Sequence, residues 1–429
     1  MRKPSVFVVW LTVFIDLVGF GIVVPLVPLF SKKFGAHGFI IGLIIASFSA
    51  MQFIFAPIWG RLSDRVGRRP VLLASTIGAA ASYVMFAFGC ATTDATTALW
   101  LLVASRSLAG ICGGNITVAQ AYIADITPPE HRSKKMGLIG MAFGLGFIFG
   151  PIIGGVSWQG MSLFGLSWAG FGPVGPGLVA ATLCAANFLL ALFILTESRK
   201  PGTSQTAPRP HLAQWKHTLS QPRIGLLVIV FFFATFCFSC FESTLPLLIS
   251  DNFHLDINTD TKTVTKLFAY CGIIGAFVQG GMIGWLVKKL GEPKLIALSL
   301  IITGVSLALL PFIKGTTPLS SKILLQTEGL PWTWMLAALA LLSIGSSLTR
   351  PPLFGMLSNL TSAHEQGANI GVAQAAGSLA RILGPIFATT TLYYSPPFPY
   401  LACTLVMLLT SVLVIQKLCG AKSEQTAAD

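Results

Sequence analysis

The sequence predicts an all-α membrane protein in which twelve transmembrane helices form two pseudo-symmetric six-helix bundles. Three observations carry that expectation. The 429 residues are 54% hydrophobic and only 10% charged, whereas about a quarter of the residues in a soluble globular domain are charged. Twelve apolar runs of about 20 residues are each long enough to cross roughly 30 Å of hydrocarbon as a helix. A polar stretch rich in arginine and glycine recurs in degraded form 224 positions later, as an internal repeat would make it.

The apolar runs fall at 5–30, 39–59, 71–91, 98–124, 136–156, 175–196, 224–250, 265–287, 295–313, 333–359, 368–392 and 398–416. They are numbered helix 1 to helix 12 in that order. Helix 1 is too long for a signal-peptide core and carries Asp16, so no cleavable signal is expected. The net charge of +13 could suggest nucleic acid, but the basic residues sit in alternate loops rather than in a basic domain. Both termini and the loops after even-numbered helices hold 19 lysines and arginines. The opposite loops hold five: Lys32, Lys33, Lys262, Lys314 and Lys322. Positive loops stay on the cytoplasmic side, so both termini are expected there. The predicted organisation is an N-terminal bundle at 1–197, a flexible cytoplasmic linker at 198–223, a C-terminal bundle at 224–417 and a tail at 418–429. The Gly/Trp/Phe-rich segment 157–174 is expected as an outer loop whose aromatics suit a membrane interface. Eight scattered cysteines read as free thiols. Cys237 and Cys240, three apart in helix 7, read as buried packing, with a metal or redox pair as the alternative.

Between helices 2 and 3 lies Gly60-Arg-Leu62-Ser-Asp64-Arg65-Val-Gly67-Arg68-Arg69-Pro70. On an insertion scale an arginine at the bilayer centre costs about 2.5–3.5 kcal/mol, so the stretch is expected as a tight turn on the membrane surface. The copy is Gly284-Trp-Leu286-Val-Lys-Lys-Leu290-Gly291-Glu292, where Gly284, Leu286 and Gly291 match Gly60, Leu62 and Gly67. Inside the apolar runs, ionisable side chains are few and expensive, and so are functional candidates. Asp16 in helix 1 and Glu242 in helix 7 are carboxylates poised between burial and nearby arginines, which suits gain and loss of a proton; a permanent ion pair is the alternative. Arg106 opens a glycine-rich stretch of helix 4, either partnered in the interior or snorkelling to the interface. Arg350 in helix 10 and Arg381 in helix 11 complete the set. An offset of 235 places Arg350 opposite Asn115 of the first half. Three interior arginines facing two carboxylates leave a positive excess if all line one cavity, which favours an anionic or carboxylate-bearing solute. In helix 5, Gly144-Leu-Gly146-Phe-Ile-Phe-Gly150-Pro151-Ile-Ile-Gly154-Gly155 places small residues four apart for close helix packing, with Pro151 inviting a bend; Gly384-Pro385 in helix 11 is its weaker copy.

The stretch from Gly60 to Arg69 resembles the signature loop between the second and third helices of major facilitator superfamily transporters. Arg106 with Gly110, Gly113 and Gly114 is similar to that superfamily's arginine motif, and the helix 5 glycines resemble its antiporter motif. With Met51-Gln52-Phe53, Tyr122 to Thr127, Gly137 to Gly155 and Gln366-Gly367, the likeness narrows to the tetracycline-resistance branch of drug:proton antiporters and covers nearly the whole chain. The resemblance implies the major facilitator fold and export. It also implies a conformational latch in which Asp64 and Arg68, with Gly60, Arg65 and Gly67 around them, join Asp125 against the start of helix 11. Gln52 matches a drug-contacting glutamine of the branch. The chain departs from it at Ser82 and Thr303, which stand where the branch carries acids in helices 3 and 9.

The functional expectation is a proton-coupled secondary transporter exporting small organic molecules, drugs or metabolites, by alternating access. Asp16, modulated by Arg106, and Glu242 couple protons; Gln52, Asn115, Glu242, Arg350 and Arg381 line the substrate cavity. The alternative is a carrier of an anionic metabolite or siderophore, in either direction, and a non-transporting receptor is the remaining class. No enzyme is expected, because there is no phosphate-binding loop, metal-ligand cluster or nucleophile–base set. No cofactor or metal is expected beyond the proton as coupling ion. The partners are a small-molecule solute and the lipid bilayer, with no nucleic acid. The protein is expected as a monomer, multi-pass in a bacterial inner (cytoplasmic) membrane.

Overall fold

The computed structural model describes residues 4–163, 166–198, 211–255, 261–316, 329–361 and 365–419. Among them twelve helical spans are long and apolar enough to cross a membrane. Spans 1 to 6 are Val6–Lys33, Gly38–Val66, Arg68–Ala91, Ala95–Ile126, Met141–Gln159 and Gly172–Ile194. Spans 7 to 12 are Pro222–Asn252, Lys262–Leu290, Glu292–Phe312, Leu330–Leu360, Ala368–Tyr394 and Pro397–Cys419. Each coincides with one expected helix. Large apolar side chains such as Trp100, Phe193 and Phe277 are exposed, as on a surface that meets lipid rather than water.

Several spans outrun the bilayer. Span 2 has 29 residues and span 7 has 31, so at about 1.5 Å per residue they exceed the roughly 30 Å of hydrocarbon. This corrects the expected surface turn at 60–70. The helix of span 2 continues through Arg61, Asp64 and Arg65 to Val66, and the next begins at Arg68. Only Gly67 separates them, at φ +106° and ψ 158°, a conformation essentially confined to glycine. Its N–H closes the helix on the Ser63 carbonyl at 3.1 Å. The repeat copy does the same: Gly291 at φ +77° stands alone between Leu290 and Glu292. Gly60 meets no such demand, since a Cβ there would touch nothing within 4 Å.

The chain divides into two compact units, Met1–Ser204 with Leu255–Gly272, and Gln205–His254 with Ile273–Asp429. Within the first unit, span 1 packs on spans 5 and 6, and span 3 on spans 4 and 6. Within the second, span 7 packs on spans 11 and 12, and span 9 on spans 10 and 12. Adding six to each span number converts one set into the other, which is the pseudo-symmetry the repeat predicts. The helix 5 motif works against span 1: a Cβ on Gly146 would meet Leu17, one on Gly150 would meet Gly21, and one on Gly154 would meet Ile22. Gly155 faces Thr265 instead, and Gly144 faces open space. Gly144 therefore leaves the packing motif and Gly146 takes its place, because the helical repeat carries Gly146, Gly150 and Gly154 to one face. Pro151 lies inside a continuous helix, Pro129–Gln159.

Three spans are interrupted. Pro25 separates Val6–Val23 from Leu26–Lys33 in span 1. Gly114 separates Ala95–Gly113 from Asn115–Ile126 in span 4. A π turn, Val278–Met282, interrupts span 8. Two segments expected as irregular are ordered. The outer loop holds a hairpin, Met161–Leu163 against Leu166–Trp168, with Ser162 opposite Ser167; the alternation in Met-Ser-Leu and Leu-Ser-Trp matches the period of a strand. The linker carries a helix, His211–Ser220. Thr218 of that helix donates to Asn369 Oδ1 at 2.7 Å, and His217 lies 3.2 Å from Glu365. Ten residues are too few for an isolated helix in water, so docking on the second unit supplies its stability. Linker residues 199–210 and tail residues 420–429 lie outside the described residues.

Candidate functional site

Span 1 brings Asp16 to the interior of the first unit. Asn115 Nδ2 donates to one carboxylate oxygen at 2.9 Å and Asn187 Nδ2 to the other at 3.0 Å. The Cys184 thiol stands 4.0 Å from the second oxygen. Asn115 also reaches Ser75 Oγ at 2.9 Å, and Asn187 the Thr12 carbonyl at 2.9 Å. Both asparagines are buried, Asn187 completely. Asp16 is therefore clamped by two neutral amides, not by the guanidinium the sequence suggested. An ionised carboxylate accepts only, and amide N–H groups satisfy it. A protonated one carries an O–H that needs an acceptor, and Asn187 Oδ1, buried without a hydrogen bond, is one beside it.

Arg106 is buried, with its guanidinium carbon 4.6 Å from the Phe48 ring centroid and 5.4 Å from that of Phe20. Cation–π stacking on two rings keeps its charge in the interior, which removes the snorkelling alternative. Tyr83 lies within electrostatic reach of both Arg106 and Asp16.

The break at Gly114 positions Asn115. It loosens the preceding turn, where the Ile111 carbonyl keeps only a long bond from the Gly114 N–H at 3.4 Å, and span 2 adds donors: Trp59 Nε1 donates to Ile111 at 2.6 Å and Gln52 Nε2 to Gly113 at 3.0 Å. A Cβ on Gly114 would strike Trp59 and the backbone of Ala56. Gln52 and Asn115, both expected to line a substrate cavity, are thus engaged in span 4 and in the Asp16 clamp. Ser82 and Thr303 are buried with hydroxyls bonded to carbonyls of their own helices.

At the Gly67 end of the first unit, Arg68 gathers the expected latch. It contacts Asp64 at 2.7 Å, Asp125 at 3.1 Å and Ser63 Oγ at 2.6 Å. Arg65 is exposed. The sequence did not point to Glu197, whose carboxylate accepts the backbone N–H groups of Arg68 and Arg69 at 2.9 and 3.0 Å. Ser198 completes the group by donating to Asp125 at 3.1 Å. The expected partner, the start of helix 11, has side chains 366 and 367 outside the described residues.

The second unit gathers Glu242, Arg350 and Arg381. Arg381 lies within electrostatic reach of both others, and its Nη2 donates to Ser378 Oγ at 3.1 Å. Arg350 stacks over Phe231 at 5.5 Å and Phe354 at 6.0 Å. Cys237 and Cys240 are free and buried, Cys237 donating to the Cys403 carbonyl. Among the described residues no three His, Cys, Asp or Glu side chains are grouped to hold a metal ion.

Twelve spans in two repeated bundles, each with ionisable groups in its interior, define a polytopic membrane transporter. The chain belongs to the Major Facilitator Superfamily, whose family model matches residues 9–330 and 280–418. It is 32% identical over 397 residues to the class C tetracycline resistance protein of Escherichia coli, covering 91% of this chain and 90% of that one. It is 28% identical over 415 residues to multidrug resistance protein 2 of Bacillus subtilis strain 168, covering 95% and 94%. The crystal structure of the human organic anion transporter MFSD10 (TETRAN) superposes with a TM-score of 0.66 at 24% identity, covering 96% of this chain and 100% of that chain.

Proposed function

We propose that this transporter exports small organic molecules by alternating access, driven by proton entry through Asp16. The observation that carries the reading is the two-amide clamp of Asn115 and Asn187 on that carboxylate. A permanent ion pair would hold one protonation state, whereas neutral amides can serve both by rotating. The relatives named for resistance to tetracycline and to multiple drugs support outward transport of foreign compounds. The 19-to-5 distribution of basic residues supports a bacterial inner membrane with cytoplasmic termini. A potential of 100 mV contributes about 2.3 kcal/mol per charge moved, so one proton can concentrate a neutral solute roughly 50-fold.

A second reading, a carrier of an organic anion, draws on Arg350 and Arg381 in the second unit and keeps the same proton site. The first reading is tested in proteoliposomes with an imposed pH gradient and tetracycline as the probe. Gradient-driven accumulation should collapse with a protonophore and with Asp16→Asn. Accumulation indifferent to both sinks the coupling role.

A further inference from the structure

Arg350 and Arg381 stand in the interiors of spans 10 and 11, where each charge needs compensation. Neither has a carboxylate within ion-pair distance among the described residues. Of its five N–H donors, Arg381 uses one, on Ser378. Arg350 donates no hydrogen bond among the described residues and is held by the faces of Phe231 and Phe354. Its side chain is nevertheless accessible, and that of Arg381 is partly so. The donors of two guanidiniums are thus presented to an occupant.

The surroundings limit what that occupant can be. Glu242 contributes one negative charge, and it is the only other charged residue away from the ends of spans 7, 9, 10, 11 and 12. The cluster therefore carries a net charge of about +1 with Glu242 ionised, which one anionic group neutralises and a cation aggravates. The walls are aromatic. Phe231 and Phe354 meet edge to face at 5.0 Å, and Phe236 meets Phe387 at 5.6 Å, with Phe236, Phe354 and Phe387 all partly accessible. Gly377, one turn before Arg381, has no side chain where Phe231 lies against span 11.

We propose that Arg350 and Arg381 form the binding site for the anionic group of an aromatic organic monoanion, a carboxylate or sulfonate, with its ring against Phe354. This rests on the second reading, a carrier of organic anions, and narrows it to aromatic monoanions held at a defined site. Planar guanidiniums match a carboxylate or sulfonate with paired hydrogen bonds, and rings of the occupant gain edge-to-face contacts.

The test is an equilibrium titration of the purified full-length protein in neutral detergent at pH 7, using 1-naphthoate, 1-naphthamide and 1-naphthylmethylamine. Naphthoate should bind at least about 10-fold more tightly than the amide, and the amine more weakly than either. Arg350→Gln and Arg381→Gln should each weaken naphthoate by roughly 10- to 100-fold. Arg350→Lys, which keeps the charge but not the stacked fork, should fall between, and Glu242→Gln should tighten naphthoate. The absence of a preference for naphthoate over naphthamide overturns the proposal, and so does unchanged affinity in both glutamine variants. The comparison on the wild-type protein decides even if a variant fails to fold. No gradient is applied, so this result stands or falls separately from proton coupling at Asp16.

Discussion

Gly67→Ala probes the junction from which the first unit's charge network is built, and Gly291→Ala is its internal control. Both glycines occupy positive φ with ψ near 156°, at +106° and +77°, so an alanine at either place costs about 1–3 kcal/mol of backbone strain. Their surroundings differ. The new Cβ at 67 would lie against the Glu197 carboxylate, whereas at 291 its nearest neighbour would be Pro293 Cδ at 4.0 Å. Displacing Glu197 removes the acceptor of two N–H groups at the start of span 3. Glu197 is exposed, so the loss is discounted to about 1 kcal/mol, the usual worth of a helix cap. The expected costs are about 2–4 kcal/mol at 67 and about 1–3 at 291, a separation of about 2–4 °C in melting temperature for a unit of this size. Thermal unfolding of the detergent-purified variants measures it. In a Glu197→Ala background the two should become equal, since nothing is left to displace. Equal costs in the wild-type background, or a gap that survives Glu197→Ala, would refute the role given to Glu197.

Two further substitutions address other parts of the scaffold. Gly150→Ala forces a methyl into the backbone of Gly21 and should destabilise by about 1–3 kcal/mol or more, while Gly144→Ala, facing open space, should stay within about 0.5 kcal/mol; paired melting curves show whether the packing face has been read correctly. Asp94 caps the helix of span 4 from outside the membrane, accepting the Thr97 N–H at 2.7 Å, and the Thr97 hydrogen bonds hold its carboxyl below the ordinary 3.8. A carboxyl lowered in the folded state stabilises it above the unfolded pKa and loses that contribution as pH falls through the folded one. The stability gap between wild type and Asp94→Ala should therefore be constant above about pH 4 and close on further acidification.

The apolar runs carried the spans because a continuous apolar run of about 20 residues crosses hydrocarbon as a helix with its backbone satisfied internally. Gly67 and Gly291 were legible because their backbone conformation excludes other residues, so the repeat keeps both while the arginines around Gly291 have gone. Asn187 and Glu197 were not legible. A single amide in helix 6 and an acid at its end have no spacing rule, and their partners lie 171 and 129 positions away. The one available signal was polarity at position 187 inside an otherwise apolar run. Gly144 stands four residues from none of Gly146, Gly150 and Gly154, so the spacing itself selects the stripe that faces span 1 and leaves Gly144 off it. The linker helix is not legible in the sequence because its stability comes from Asn369 and Glu365, not from its own ten residues.

The discontinuity in span 4 is secured from outside. Two carbonyls beside it accept from Trp59 and Gln52, both carried by span 2. Straightening span 4 would strand those indole and amide donors, so the two rods are tied together at the joint. Asn115 rides on that joint, while Asn187 is anchored to Thr12 on span 1 itself. Any displacement of the paired rods against span 1 would therefore pull one amide off the Asp16 carboxylate and leave the other in place.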